Sequence, residues 1–254
     1  MRRLVLDIGN TKTAVGLFED GKLDVQWRIT TMHWTADDLW VILRSLLKTG
    51  DYDFPPCVAY ACVVPQIRHA ILNLSRRYAD VEPVEVSAET AGIAIDYRFP
   101  HALGADRIAN AAGVLRLGSP PAIVVDFGTA TSFDVISEEG IYLGGAIAPG
   151  VGTAAGELFK KAEKLNPVDL EFPVSALGRS TEEAVCSGVL LGAVGAADYI
   201  IDELVKFVDG VPEIWATGGW ASGIAGKCRN RMTICPELTL VGIDLIGERC
   251  ADEN

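Results

Sequence analysis

The sequence predicts an α/β protein built from two copies of one β-β-β-α unit, and three observations carry that expectation. A short apolar run ending in Asp-x-Gly occurs at residues 4–11 and again at residues 123–131, with the two aspartates, Asp7 and Asp126, 119 positions apart. The offset persists into the next turn, where Glu19-Asp20-Gly21 matches Glu138-Glu139-Gly140. Between and after the copies, apolar spacing changes from period two to the i, i+3, i+4 spacing of helices. Self-similarity at a fixed offset marks a duplicated unit.

Each copy reads as strand, tight turn, strand, turn, strand. The first copy places strands at 2–8, 13–18 and 22–30, the second at 122–127, 131–137 and 141–146. Gly21 and Gly140 supply the positive φ that short hairpins require. Thr35, followed by Asp37 and Asp38, opens a helix through residue 48, because a hydroxyl cap and early acids satisfy and complement the helix start. Residues 58–63 form a buried strand, 66–78 a helix and 106–117 a third helix. Gly118-Ser119-Pro120-Pro121 ends that helix and sets the boundary between domains at 1–119 and 120–254. In the second half, Ser180-x-x-Glu183 reads as a capping box opening a helix to 208. Residues 214–217 form a short strand running into Gly218-Gly219.

Composition narrows the function. A chain of 254 residues buries roughly 70–75% of its unfolded surface and needs no staple. With 22 Lys+Arg against 34 Asp+Glu, the net charge of −12 opposes a role in gripping nucleic acid. The start of the chain lacks a signal-peptide pattern, and the uncharged apolar run 184–197 is too short for a bilayer, so a cytoplasmic protein without a membrane partner is expected. The six cysteines form no Cys-x-x-Cys pair, which points to reduced thiols rather than zinc ligands.

The chemistry concentrates at the Asp-x-Gly turns. Gly9 and Gly128 lack a Cβ, so a phosphate can approach the backbone closely. Thr11, Thr129 and Thr131 add hydroxyls, and an aspartate at a strand end can hold a hydrated divalent cation that bridges phosphates. Either turn alone reads equally well as a hairpin with a structural aspartate. Two of them facing each other across a cleft would clamp a nucleoside triphosphate. Gly104-Ala105-Asp106-Arg107 opens the third helix: Asp106 is either a capping acid or the group that takes a proton from a substrate hydroxyl, and Arg107 either a surface arginine or a fork for a carboxylate.

Asp7-x-Gly9-Asn10-Thr11, Asp126-x-Gly128-Thr129-Ala130-Thr131 and Thr217-Gly218-Gly219 resemble the phosphate and adenosine motifs of the sugar kinase, Hsp70 and actin superfamily. Within it, the sequence is similar to type III pantothenate kinases, which add Gly104-Ala105-Asp106-Arg107, residues 144–150 (Gly-Gly-Ala-Ile-Ala-Pro-Gly) and Gly178-Arg179-Ser180-Thr181. The ordered set spans nearly the whole chain, from Asp7 to about Gly242.

The resemblance implies two actin-like (ribonuclease H-like) α/β domains with mixed sheets flanked by helices and an ATP cleft between them. It implies ATP-dependent phosphorylation of pantothenate to 4'-phosphopantothenate, the first step of coenzyme A biosynthesis. ATP, Mg2+ and a monovalent cation, K+ or NH4+, would take part, with Asp126 as the monovalent-cation ligand. The nucleotide segment runs through Asp7, Ile8, Gly9, Asn10, Thr11, Lys12, Thr13 and Ala14, with Gly128 and Thr129; for Lys12, a solvated side chain is the plainer reading. Asp106 is the implied base, and Tyr97, Gly104, Ala105, Arg107 and Thr181 join it in the pantothenate site. A homodimer is implied as well. Val185, Val189 and the small residues after them make the helix from Ser180 either an interface element or a core helix. Other readings are a kinase-like regulatory factor and a kinase of the same superfamily acting on another small molecule; intact Asp106 and Asp7-x-Gly-Asn-Thr favour an enzyme.

Overall fold

Two five-stranded mixed sheets carry the fold, and both have the same strand order. In the computed structural model, which describes residues 1–162 and 165–252, the first sheet runs β3-β2-β1-β4-β5. Its strands are β1 (Arg2–Ile8), β2 (Lys12–Glu19), β3 (Lys22–Thr30), β4 (Cys57–Cys62) and β5 (Val84–Glu85). β1, β2 and β3 form an antiparallel meander, and β4 and β5 add in parallel on the other side of β1. The second sheet repeats this with β6 (Ala122–Phe127), β7 (Ala130–Ile136), β8 (Tyr142–Pro149), β9 (Glu213–Thr217) and β10 (Thr233–Ile234) in the order β8-β7-β6-β9-β10.

The central strands are apolar on both faces because both are covered. Leu4, Leu6 and Ile8 of β1 pack with Leu39, Leu43 and Leu47 of α1 (Ala36–Lys48) and with Ile67, Ile71 and Leu74 of α2 (Pro65–Leu74). Thr35 caps α1 as expected: its Oγ1 accepts the Asp38 N–H at 3.2 Å, and the Asp38 carboxylate accepts the Thr35 N–H at 3.0 Å. On the other face lie α3 (Ala105–Leu117) and α7 (Leu238–Asp252). These two helices approach so closely that a Cβ on Gly242 would overlap the Ala109 carbonyl, and one on Gly113 would sit 2.5 Å from the Leu238 carbonyl oxygen. Buried Arg3 and Asp244 pair at 2.5 Å, and Thr239 donates to Asn110 at 2.8 Å.

That packing corrects the expected division of the chain. One unit comprises Met1–Gly118 together with the described residues from Glu237 onward, the other Ser119–Pro236. The sequence reading assigned everything after residue 119 to the second domain. The chain instead returns to the first unit, because α7 finds there its small-residue partner α3 and the counter-ion for Asp244.

In the second unit, Ile123, Val125 and Phe127 of β6 pack with Val151 of α4 (Val151–Lys161), with Leu190, Ala197 and Ile201 of α5 (Thr181–Leu204), and with Ile224 of α6 (Ala221–Ala225). Ser180 accepts the Glu183 N–H at 3.1 Å, but the Glu183 carboxylate reaches the N–H of Arg179 rather than that of Ser180, so the expected box closes one residue further out. The helix stops at Leu204 and is followed by a 3₁₀ turn. Val185 is buried and Val189 packs against the core. The face α5 exposes is instead Ala184, Gly188, Leu191, Gly192, Gly195, Ala196 and Tyr199. By length and composition, 181–207 is long and apolar enough to cross a membrane, although the uncharged run inside it is shorter. One face packs into the second unit and carries the buried Asp198, which accepts the backbone N–H groups of Arg229 and Asn230, each at 3.0 Å.

The helix expected over 66–78 ends at Leu74 and continues as one π turn over Ser75–Ala79. The wider turn lays the Tyr78 ring on Trp40, with centroids 5.2 Å apart and planes 12° from parallel, while its hydroxyl donates to Asp37. All six cysteines are free thiols, and burial pushes Cys228 up to about 11, which keeps it protonated at neutral pH.

Candidate active site

The two Asp-x-Gly turns occupy equivalent positions, at the end of the central strand of each sheet. In the first, the Gly9 N–H donates to the Lys12 carbonyl at 3.1 Å, closing the turn so that Asn10 and Thr11 stand exposed on it. Ile8 is buried in the core, and buried Thr13 shares a 2.9 Å hydrogen bond with Thr31, so both can reach a ligand only through their backbone. Lys12 is exposed and donates to Thr30 at 3.0 Å, and Ala14 lies opposite Asp7 in the ladder.

The second turn is one residue shorter: Asp126 pairs with Ser132, whereas Asp7 pairs with Ala14. The next turn restores the 119-residue offset. Asp20-Gly21 makes a two-residue connection with φ of 50° and 75°, while the second copy spans Ile136 to Tyr142 with Gly140 at 76°. The Gly128 N–H donates to the Ala130 carbonyl at 3.0 Å, and Thr129 is exposed.

Asp126 sits among glycine turns. A Cβ on Gly128 would lie 3.2 Å from Asp126 Oδ1, and one on Gly218 would overlap that oxygen and approach the Phe127 carbonyl carbon at 2.6 Å. Gly218 also has φ +90°, which only glycine adopts readily. Across the sheet Asp126 is flanked by Ser132 on β7 and Thr217 on β9. The Asp126 carboxylate and the Phe127 carbonyl thus both lie against the Gly218 turn, and oxygen donors of this kind suit a hard cation. Among the described residues no three His, Cys, Asp or Glu side chains converge as metal ligands.

Asp106 and Arg107 stand in the first turn of α3. The Asp106 carboxylate accepts the Arg107 N–H at 2.9 Å, and a Cβ on Gly104 would lie 2.5 Å from Asp106 Oδ1. Burial raises the Asp106 pKa above the ordinary aspartate value, with the Arg107 N–H and guanidinium opposing the shift. Arg107 itself is only 7% exposed, which removes the reading of an ordinary surface arginine. Tyr97 is half-buried on the segment leading into α3.

Thr181 is exposed at the start of α5, in the second unit. Its chain neighbours Ser180 and Glu182 line a cavity of about 750 Å³ with Phe172, Val174, Leu177 and Cys186, among others, but Thr181 is not part of that lining. The sequence reading found none of the elements that build this unit's periphery: α4 and α6 are short or glycine-rich, and β10 has two residues. It also missed Thr153, whose hydroxyl donates to the Thr129 carbonyl at 2.6 Å; a lone threonine in an unread helix carries no sequence signal.

A doubled 3-2-1-4-5 sheet with a glycine hairpin closing each central strand defines an actin-like α/β fold. A glucokinase of the ROK family from Streptomyces griseus aligns with a TM-score of 0.54 at 12% identity, covering 98% of this chain and 100% of that one. A Campylobacter jejuni chain assigned to the Baf family of transcriptional activators aligns with a TM-score of 0.61 at 20% identity, covering 98% and 99%. At sequence level the match is narrower. The family model for type III pantothenate kinase matches residues 3–203, and a type III pantothenate kinase from Roseiflexus sp. (strain RS-1) is 41% identical over 250 residues, covering 96% of this chain and 98% of its own. The chain belongs to the type III pantothenate kinase family.

Proposed function

We propose that this protein transfers the γ-phosphoryl group of ATP to the primary hydroxyl of pantothenate, giving ADP and 4'-phosphopantothenate, the first committed chemistry of coenzyme A synthesis. The observation that carries the reading is Asp106: a carboxylate whose proton affinity is raised by burial, beside the buried Arg107, in a member of this kinase family.

Arg107 pairs with the pantothenate carboxylate as a planar fork and, with Tyr97, Gly104, Ala105 and Thr181, orients the substrate. Asp106 accepts the hydroxyl proton as that oxygen bonds to the γ-phosphorus and the bond to the β-phosphate oxygen breaks. The raised proton affinity suits this step, since a carboxylate of ordinary acidity holds a proton poorly. The backbone of residues 7–14 and of Gly128 and Thr129 receives the phosphates. Magnesium, when bound, spreads and neutralises the phosphate charge. Asp126, with the oxygens around it, holds a monovalent cation, K+ or NH4+, beside the adenosine motif.

Two further parts of the proposal concern the setting. Six free thiols support a reducing cytoplasm. The exposed face of α5, with Leu191 and Tyr199 among glycines and alanines, supports a homodimer through that helix.

The test is ADP release from ATP and magnesium, with and without pantothenate, in potassium chloride against choline chloride. Pantothenate-dependent release that requires potassium is the expected result. Release indifferent to pantothenate under every cation would overturn the substrate and leave a regulatory role or another small hydroxylated acceptor.

A further inference from the structure

The second phosphate turn is fastened from behind. The Thr129 carbonyl accepts two hydrogen bonds from the start of α4: the Gly150 N–H at 3.2 Å and the Thr153 hydroxyl at 2.6 Å. The fit is tight, for a Cβ on Gly150 would overlap the carbonyl oxygens of both Gly128 and Thr129. Gly150 directly follows Pro149, which pairs with Ala130 at the end of the β7–β8 ladder. The turn thus lies directly on the first turn of α4.

We infer that Thr153 is a positioning residue for nucleotide binding: by holding the Thr129 carbonyl against α4, it fixes the face that the Gly128–Ala130 turn presents to phosphate. The inference rests on the reading that this turn receives phosphates. A carbonyl oxygen turned towards a phosphate would repel it, and a turn that follows a glycine resists peptide rotation weakly. In a trans peptide the next N–H points opposite to the carbonyl, so anchoring the Thr129 oxygen also sets the direction of the Ala130 N–H. Thr153 makes the shorter of the two anchoring bonds, and it is exposed, so neither the core nor α4 depends on its side chain. A threonine at this place therefore acts through Thr129 and not by touching the nucleotide.

The experiment compares the full-length wild type with Thr153→Val and Thr153→Ser. Binding of a non-hydrolysable ATP analogue with magnesium is followed by calorimetry, and the steady-state constants for ATP and pantothenate are measured beside it. Valine keeps the shape and loses the donor; serine restores it. One neutral hydrogen bond of this kind is worth about a 3- to 10-fold change. Thr153→Val is expected to weaken analogue binding and raise KM for ATP by that factor, with KM for pantothenate unchanged, while Thr153→Ser stays within about twofold of wild type. Melting temperatures within about 2 °C of one another separate this from loss of fold. Unchanged analogue binding in the valine variant, or a serine variant as weak as valine, would overturn the inference. Wild-type protein that binds the analogue yet releases no ADP with pantothenate would overturn the proposed substrate and leave Thr153 in place. Wild-type protein that binds no analogue would overturn both.

Discussion

Replacing Asp106 with asparagine removes a proton acceptor and almost nothing else. The asparagine oxygen can keep the 2.9 Å bond from the Arg107 N–H, and the side-chain volume is nearly the same. General base catalysis contributes about 10²- to 10⁴-fold, or about 2.7–5.4 kcal/mol of barrier. Turnover with pantothenate should fall by that factor, and binding of the ATP analogue should be unaffected. Stability should move the other way. Because burial raises the Asp106 pKa in the folded protein, its contribution to stability is present when the group is protonated and is lost as pH rises through the folded-state pKa. At neutral pH the wild type carries the costly charged form, so the asparagine variant should melt no lower than wild type. The same shift fixes the pH profile: activity is lost as pH falls through the Asp106 pKa, at a higher pH than an ordinary aspartate would give. Pantothenate-dependent turnover within about threefold of wild type in the variant would refute the reasoning.

Other consequences follow from the same geometry. Gly104→Ala puts a methyl group 2.5 Å from Asp106 Oδ1, and the carboxylate can move aside; kcat should fall by about tenfold or more with the melting temperature unchanged, since small misplacements of a reacting group are costly. Arg107→Lys keeps the charge and loses the fork, so KM for pantothenate should rise by about tenfold with KM for ATP unaltered in steady-state assays. Gly242→Ala forces a side chain into the Ala109 carbonyl where backbone meets backbone; denaturant titration should show a loss of at least about 1–3 kcal/mol.

The duplicated hairpins and the helix starts at Thr35, Ser180 and Asp106 were legible because each is a local device, a turn glycine or a cap that chemistry places within a few residues. The C-terminal helix was not. Nothing near 238–252 announces that Gly242 must meet Ala109, or that Asp244 answers Arg3; each contact joins residues far apart in the chain and is written at neither. Arg107 shows the same limit at the site. Its residue type suggested two roles, and only its burial, a property of the folded unit, separates them. On α5 the expectation divides: Val185 and Val189 face inward, while small residues after them, Gly192, Gly195 and Ala196, stand on the exposed face with Leu191 and Tyr199.

Under the proposed function, the duplication lets one unit shape serve two roles. Both central strands end in Asp-x-Gly, and both hairpins follow the same path, but the residues across the sheet differ. Asp7 pairs across the sheet with Ala14 and Ala61. Asp126 lies between Ser132 and Thr217, against the Gly218 turn. The cross-strand partners thus differ in polarity, two alanines beside Asp7 against a serine and a threonine beside Asp126. The first unit carries Asp106 and Arg107 in the first turn of α3, whereas α7, which follows β10 as α3 follows β5, has no acid in its first turn. The departures from symmetry thus lie at Asp106 and Arg107 in the first unit and around Asp126 in the second, the two places to which the proposed function assigns the base and the cation ligand.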